Sequence, residues 1–181
     1  HDTMAECRAA LGSQHFPANR GGRYVAGSRV RTDLELFDWH AQACADLPAD
    51  QAIQRYRAAL DLVTGRPFSY PNAARASYGW VDFEHHATAW ELRIAGVAQA
   101  CAALCLDQGD AGTAIAVLRG VVQSLPLDSA LTEALMRAHV ADGDRAGAER
   151  VYREHATALA QADLGDPDDS IEQVRLDAHA S

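Results

Sequence analysis

Seven apolar positions, Phe83, Ala87, Trp90, Ile94, Val97, Cys101 and Leu104, recur at alternating steps of four and three residues. An α-helix turns once in 3.6 residues, so this spacing holds one stripe on one face along a long helix. The stripe also suits a coiled-coil seam, but Ala98 and Cys105 widen it, which favours a helix packed inside a helical array. Further on, Gly109-Asp110 and Gly143-Asp144 each close one helical pattern and open another, 34 residues apart. After the first come Ala114, Val117, Leu118 and Val121; after the second, in the same register, come Ala148, Val151, Tyr152 and His155. Each pair is preceded by its own amphipathic segment, with Leu104 and Leu106 in one and Leu131, Leu135 and Ala138 in the other.

A 34-residue period is that of tetratricopeptide-like helix-turn-helix repeats. A weaker third copy lies upstream, where Ala52-Ile53, Tyr56 and Leu60 follow Leu47-Pro48-Ala49-Asp50. Three hairpins reach the usual minimum for a stable solenoid. Leu164-Gly165-Asp166-Pro167 breaks the last strong helix, Arg145 to about Ala162, and a final segment with Ile171, Val174 and Leu176 caps the stack. The expected fold is all-α: a tetratricopeptide-like α-solenoid of stacked helical hairpins with a short N-terminal β-hairpin remnant.

Ahead of the repeats, His1 to Leu11 reads as the end of a helix with Met4, Cys7, Ala10 and Leu11 on one side and Gly12 as its stop. Gly21-Gly22, Arg23-Tyr24-Val25, Ala26-Gly27-Ser28 and Arg29-Val30-Arg31 read as the β-hairpin. Thr32-Asp33 caps a helix carrying Leu34, Phe37, Ala41 and Cys44 that is expected to end near Leu47. Pro48 opens the next, which runs to about Val63 before Thr64-Gly65-Arg66-Pro67. Phe68 to Tyr78 reads as a loop held on the body by Phe68, Tyr70 and Tyr78.

The 181 residues, 48% of them hydrophobic, suffice for one domain with a real core. No segment is read as a membrane span or as a leader, which places the chain in the cytoplasm, and the absence of Met at position 1 reads as a piece of a larger protein. Residues 1 to 32 hold five arginines against two acids, a net of +3; the rest holds eleven arginines against 23 acids, a net of −12. A basic head on an acidic body restricts any affinity for a phosphate backbone to the head. Of four cysteines only Cys101 and Cys105 are close, at a helical spacing poorly suited to a disulfide, and all four read as core thiols of a reducing compartment.

Together these pieces resemble the bacterial transcriptional activator domain, a helical domain of actinobacterial antibiotic-pathway regulators. The likeness runs from about Tyr24 to the C-terminus. It is carried by Tyr24-Val25, Thr32-Asp33 and Phe37, by Leu62 to Phe68, and by Tyr78-Gly79-Trp80 with Glu84. Gly109-Asp110-Ala111, Leu125 to Asp128 and Ala141 to Arg145 complete it. In that family a winged-helix DNA-binding domain precedes the repeats. The resemblance therefore implies a boundary, with residues 1–31 as a winged-helix remnant and 32–181 as the helical domain. It makes Arg8 to Gly12 the end of a recognition helix and Gly22 to Val25 the wing, with Arg8, Arg20 and Arg23 as the DNA-contact remnant. It also implies a regulatory and oligomerisation module without catalytic residues, whose relatives sometimes carry membrane or cell-wall-binding segments elsewhere.

No nucleophile elbow, phosphate loop or dinucleotide fingerprint occurs in the sequence. His85 and His86 are adjacent on a helix and point to different sides, which suits no shared metal. Asp82, Glu84 and Glu91 read as acids favoured near a helix start, and Trp90 as core. No cofactor or metal is implied. The sequence favours a non-enzymatic domain that binds a protein partner or a second copy of itself and controls an attached DNA-binding domain. Phe68, Tyr78 and Trp80 are the candidate groove or partner surface. The alternatives are a generic peptide-binding repeat scaffold unrelated to transcription, or a small-molecule sensor or enzyme with Phe68 to Trp80 as a lid.

Overall fold

The structure is a computed structural model that describes residues 2–15, 27, 29–44, 46–69 and 85–180. Among these residues are eight helices and no strand. They are α1 (Asp2–Leu11), α2 (Asp33–Gln42), α3 (Ala49–Leu60), α4 (His86–Asp107), α5 (Ala111–Ser124), α6 (Ser129–Ala141), α7 (Arg145–Gln161) and α8 (Asp169–Ala180). Helices α2/α3, α4/α5 and α6/α7 form three successive hairpins and α8 closes the row. The even helices form the inner layer, α4 on α6 and α6 on α8, while of the odd ones α3 only grazes α5. Clefts consequently open between neighbouring odd helices.

The repeated Gly-Asp works through its backbone as much as its side chain. Gly109 and Gly143 sit at φ of +75° and +76°, the left-handed conformation that costs other residues strain. The Gly109 amide donates to Leu106 O and the Asp110 amide to Cys105 O; Gly143 and Asp144 repeat both bonds on Val140 and His139. Orphan carbonyls at the end of one helix are thereby satisfied. The same aspartates then cap the next helix: Asp110 accepts from the Thr113 amide and Asp144 from the Gly147 amide, at 3.0 and 2.8 Å. One dipeptide ends a helix, reverses the chain and starts another, which explains its recurrence at the repeat period.

The third occurrence of this turn lacks the glycine. After α7, Asp163 takes φ +57° and the Leu164 amide closes on Leu159 O at 3.0 Å. Asp163→Gly is therefore expected to stabilise the chain by about 0.5–1 kcal/mol, seen as a higher denaturation midpoint. A lower midpoint would show that the Asp163 side chain contributes more than its strain costs.

Packing follows the sequence stripes with a rotation. In α4, Ile94, Ala98, Cys101 and Cys105 are buried as expected, but Ala95 and Ala102 join them because the helix has neighbours on three sides, α3, α5 and α6. Ala114, Leu118 and Val121 of α5 are buried, as are Ala148, Val151 and His155 of α7. Leu118, Leu131, Leu135, Met136 and Ile171 are the largest side chains sealed from solvent. At 22 residues α4 reaches, by length and composition alone, the apolar length of a membrane span, which the sequence pattern did not single out; here it is packed within the hairpin stack.

Other expectations need correction. Helix α2 ends at Gln42 rather than near Leu47, because Cys44 turns into the core, its thiol near Ala52 O at 3.7 Å. Helix α3 ends at Leu60, and Leu62 and Val63 continue as tighter turns on Ala59 and Leu60. Ile171, Val174 and Ala178 form the buried face of α8, whereas Leu176 points outward and is 50% exposed. Cys7 is half-buried while the other three thiols are core, and Ala10 and Leu11 are exposed because α1 packs closely on no other helix among the described residues. Of the expected β-hairpin, residues 16–26 and 28 lie outside the described residues. Arg29-Val30-Arg31 is not strand: the Val30 amide donates to Gly27 O at 2.9 Å, a turn that leaves no extended run for pairing.

Candidate functional site

A capping box starts α2, with the Glu35 amide on Thr32 Oγ1 and the Thr32 amide on the Glu35 carboxylate, at 3.1 and 2.8 Å. It fixes the helix so that Phe37 is buried edge-on to Trp90 of α4, ring centroids 5.8 Å apart. Asp38 pairs with Arg93 at 2.8 Å beside them. The chain leaving α3 then passes over this junction and encloses a groove of about 370 Å³. Leu34, Phe37, Leu62, Trp90 and Ile94 supply its apolar lining and Arg66 stands beside it, paired with Glu91 of α4.

Phe68, one of the sequence-predicted groove residues, lines this groove, at a φ of +54° that is strained for an aromatic residue. Tyr78 and Trp80 lie outside the described residues, as do Tyr70, Phe83, Glu84, Arg20 and Arg23. Arg8, the other described candidate, is half-buried on α1 and does not line the groove. His85 and His86 open α4 and are exposed, His85 at φ +57°. A second cleft, about 410 Å³, separates α3 from α5, where Gly112, Ala116 and Gly120 leave α5 without bulk.

One buried polar group was not singled out by the sequence. His139 of α6, 2% exposed, places Nδ1 3.0 Å from Asp144 Oδ2 and Nε2 3.0 Å from Arg119 Nη2 of α5. A carboxylate only accepts and a guanidinium only donates, so Nδ1 carries the proton and Nε2 is bare. Burial holds this imidazole below its ordinary value of 6.5, reinforced by Arg119 and Arg150 and opposed by Asp144. Asp144 is in turn held low by the Gly147 amide and His139. The node ties α5, α6 and the start of α7 together, and Gly147 permits it, since a Cβ there would overlap both the Asp144 carboxylate and the His139 ring.

A pH dependence follows. The folded state takes up a proton on His139 less readily than the unfolded chain does. Its stabilising share is complete above about pH 6.5 and declines as pH falls through that value toward the lower folded one, by up to about 1.4 kcal/mol per unit. Denaturation midpoints at pH 7.5 and 5.5 are expected to separate more for the native chain than for His139→Gln. Equal separations would remove the node as a source of acid sensitivity.

Elsewhere the buried groups are structural. The Cys101 thiol is pushed up to about 12 by burial and by its neighbour Cys105, which disfavours a thiolate nucleophile or ligand. His155 donates from Nδ1 to Pro126 O at 3.0 Å, with Thr132 Oγ1 beside it at 3.2 Å. Among the described residues no group of three or more His, Cys, Asp or Glu is placed to hold a metal.

The sequence model of the bacterial transcriptional activator domain matches residues 32–176, from the α2 cap into α8. The chain belongs to that family. Among solved structures it is similar to Mycobacterium tuberculosis EmbR in complex with a low-affinity phosphopeptide, at a TM-score of 0.60 and 21% identity. The match covers 99% of this chain and 48% of EmbR, so the chain spans about half the length of that regulator. At this identity the likeness concerns the fold, and it agrees with the all-helical hairpin stack. No curated protein matches the chain. This transcriptional activator domain therefore has a regulatory role, in a family of non-enzymatic regulators, and its hairpins form a tetratricopeptide-like unit.

Proposed function

We propose that the transcriptional activator domain is a non-enzymatic interaction module that self-associates or docks a protein partner, and so controls the placement of an attached DNA-binding domain. The observation that carries this is the family match over 32–176, directly behind a basic segment. Residues 1–31 are then the remnant of a winged-helix domain, with Arg8, Arg20 and Arg23 on its DNA-contact side. The groove at Phe68, with Tyr78 and Trp80 on the chain that continues from it, is the partner surface. That EmbR was captured with a phosphopeptide supports protein partners for such regulators. The location is cytoplasmic, where promoter DNA is, without membrane contact by this segment.

Light scattering over a concentration series tests self-association. A molar mass that rises with concentration supports it, and a strict monomer at high micromolar concentration removes it and leaves partner docking. The 181-residue chain is also expected to bind duplex DNA only weakly, since its body carries −12. Sub-micromolar, sequence-selective binding at physiological salt would contradict that.

A further inference from the structure

Five of the eleven arginines of the helical body hold a carboxylate: Arg66 with Glu91, Arg93 with Asp38, Arg137 with Glu133, Arg153 with Glu149 and Arg175 with Glu172. Arg119 and Arg150 do not. In an acid-rich chain these two instead line one cleft of about 170 Å³ between α5 and α7, floored by Leu135 and Val151 and bordered by Gln123 and Glu154. Arg119 Nη2 is engaged by the bare Nε2 of His139, a neutral acceptor that leaves its charge uncompensated. Arg150 makes no hydrogen bond or ion pair among the described residues, and Asp144, the nearby acid, is committed to Gly147 and His139. Glu154 is the one carboxylate lining the cleft, with Asp144 within electrostatic reach of Arg150 behind it, so two guanidiniums face a single lining carboxylate.

We propose that this cleft is a binding site for a small oxyanion of the phosphate type, held between the Arg119 and Arg150 guanidiniums with the Gln123 amide as a further donor. A planar guanidinium offers paired N–H donors matched to phosphate oxygens, and two of them on one cleft would give a charge-assisted clamp that a single surface arginine does not. The volume accommodates a phosphate group with a small substituent. The apolar floor lowers competition from water, which strengthens the contacts. Because Arg119 also touches His139, an anion here adds negative charge next to the node joining the second and third hairpins.

The test is calorimetric titration of the whole 181-residue chain with inorganic phosphate and, separately, methyl phosphate, in a low-chloride zwitterionic buffer. Saturable one-to-one binding is expected, weakened at least about tenfold by Arg119→Gln and by Arg150→Gln and unchanged by Arg137→Gln. Arg150 is exposed and makes no hydrogen bond in the node, so Arg150→Gln is expected to keep the fold, and the glutamine in Arg119→Gln retains an amide donor for His139. Equal affinity for the two anions assigns the site to a phosphate monoester head group, and loss with methyl phosphate assigns it to the free ion. A second readout is His139 itself: bound phosphate moves its NMR titration upward in the native chain and not in Arg150→Gln. Absence of saturable binding, or equal affinity in all four proteins, would overturn the proposal.

Discussion

Gly147→Ala is expected to destabilise the domain by about 3 kcal/mol, a fall in Tm of roughly 6–12 °C. Helix propensity alone argues the other way, since alanine is the better helix former by up to about 1 kcal/mol. What reverses the sign is the space: the new methyl would overlap the Asp144 carboxylate and the His139 ring. Neither can retreat cheaply, because Asp144 caps α7 through the Gly147 amide and His139 is sealed between Asp144 and Arg119. The matched control is Gly112→Ala in the first turn of α5, where a Cβ meets only the Asp110 carboxylate at 3.8 Å. That substitution is expected to be neutral or mildly stabilising. Thermal melts of both variants decide the matter; a neutral Gly147→Ala would mean that the node adjusts freely and does not fix the hairpins.

Ile171→Ala is expected to cost about 2–4 kcal/mol and to shift one cooperative transition. Ile171 is fully buried on α8, which packs on both α6 and α7 and covers the face that the last hairpin presents. In a stack whose units are stable only against their neighbours, loosening the cap is felt by the hairpins beneath it. Hydrogen exchange followed by mass spectrometry separates the outcomes. Faster exchange spreading into α6 and α7 is expected. Exchange confined to α8, with the main transition unmoved, would show α8 to be an appendage.

The fold was legible where one residue type performs a backbone task that few others can. Gly109 and Gly143 at positive φ, with the aspartates that follow, carried the repeat period and two hairpins. The first hairpin, α2/α3, was fainter because no Gly-Asp turn marks it: a capping box at Thr32 starts α2, and Pro48 precedes α3 without a side-chain cap. Burial on α4 was harder to read: a helix with three neighbours buries Ala95 and Ala102 outside the single stripe that periodicity suggests.

The polar node was not legible. Shifting His139 back by 34 residues lands on Cys105, and shifting Gly147 lands on Thr113, so neither recurs. The available signal was the departure itself, a glycine in the first turn of a helix eight residues from a histidine across a Gly-Asp turn. Phe68 was singled out for its aromatic ring, but its left-handed backbone depends on tertiary context that no local pattern encodes.

A hairpin stack that governs an attached DNA-binding domain would transmit its own loosening to DNA binding. The most direct test is the DNA affinity of a chain carrying that domain ahead of residue 32, with either the native stack or the Ile171→Ala stack, at a temperature where both remain folded. The account predicts that loosening the cap changes affinity or cooperativity on the target duplex by about tenfold, the scale of a 1–3 kcal/mol coupling between distant sites. Identical binding curves for the two proteins would contradict it.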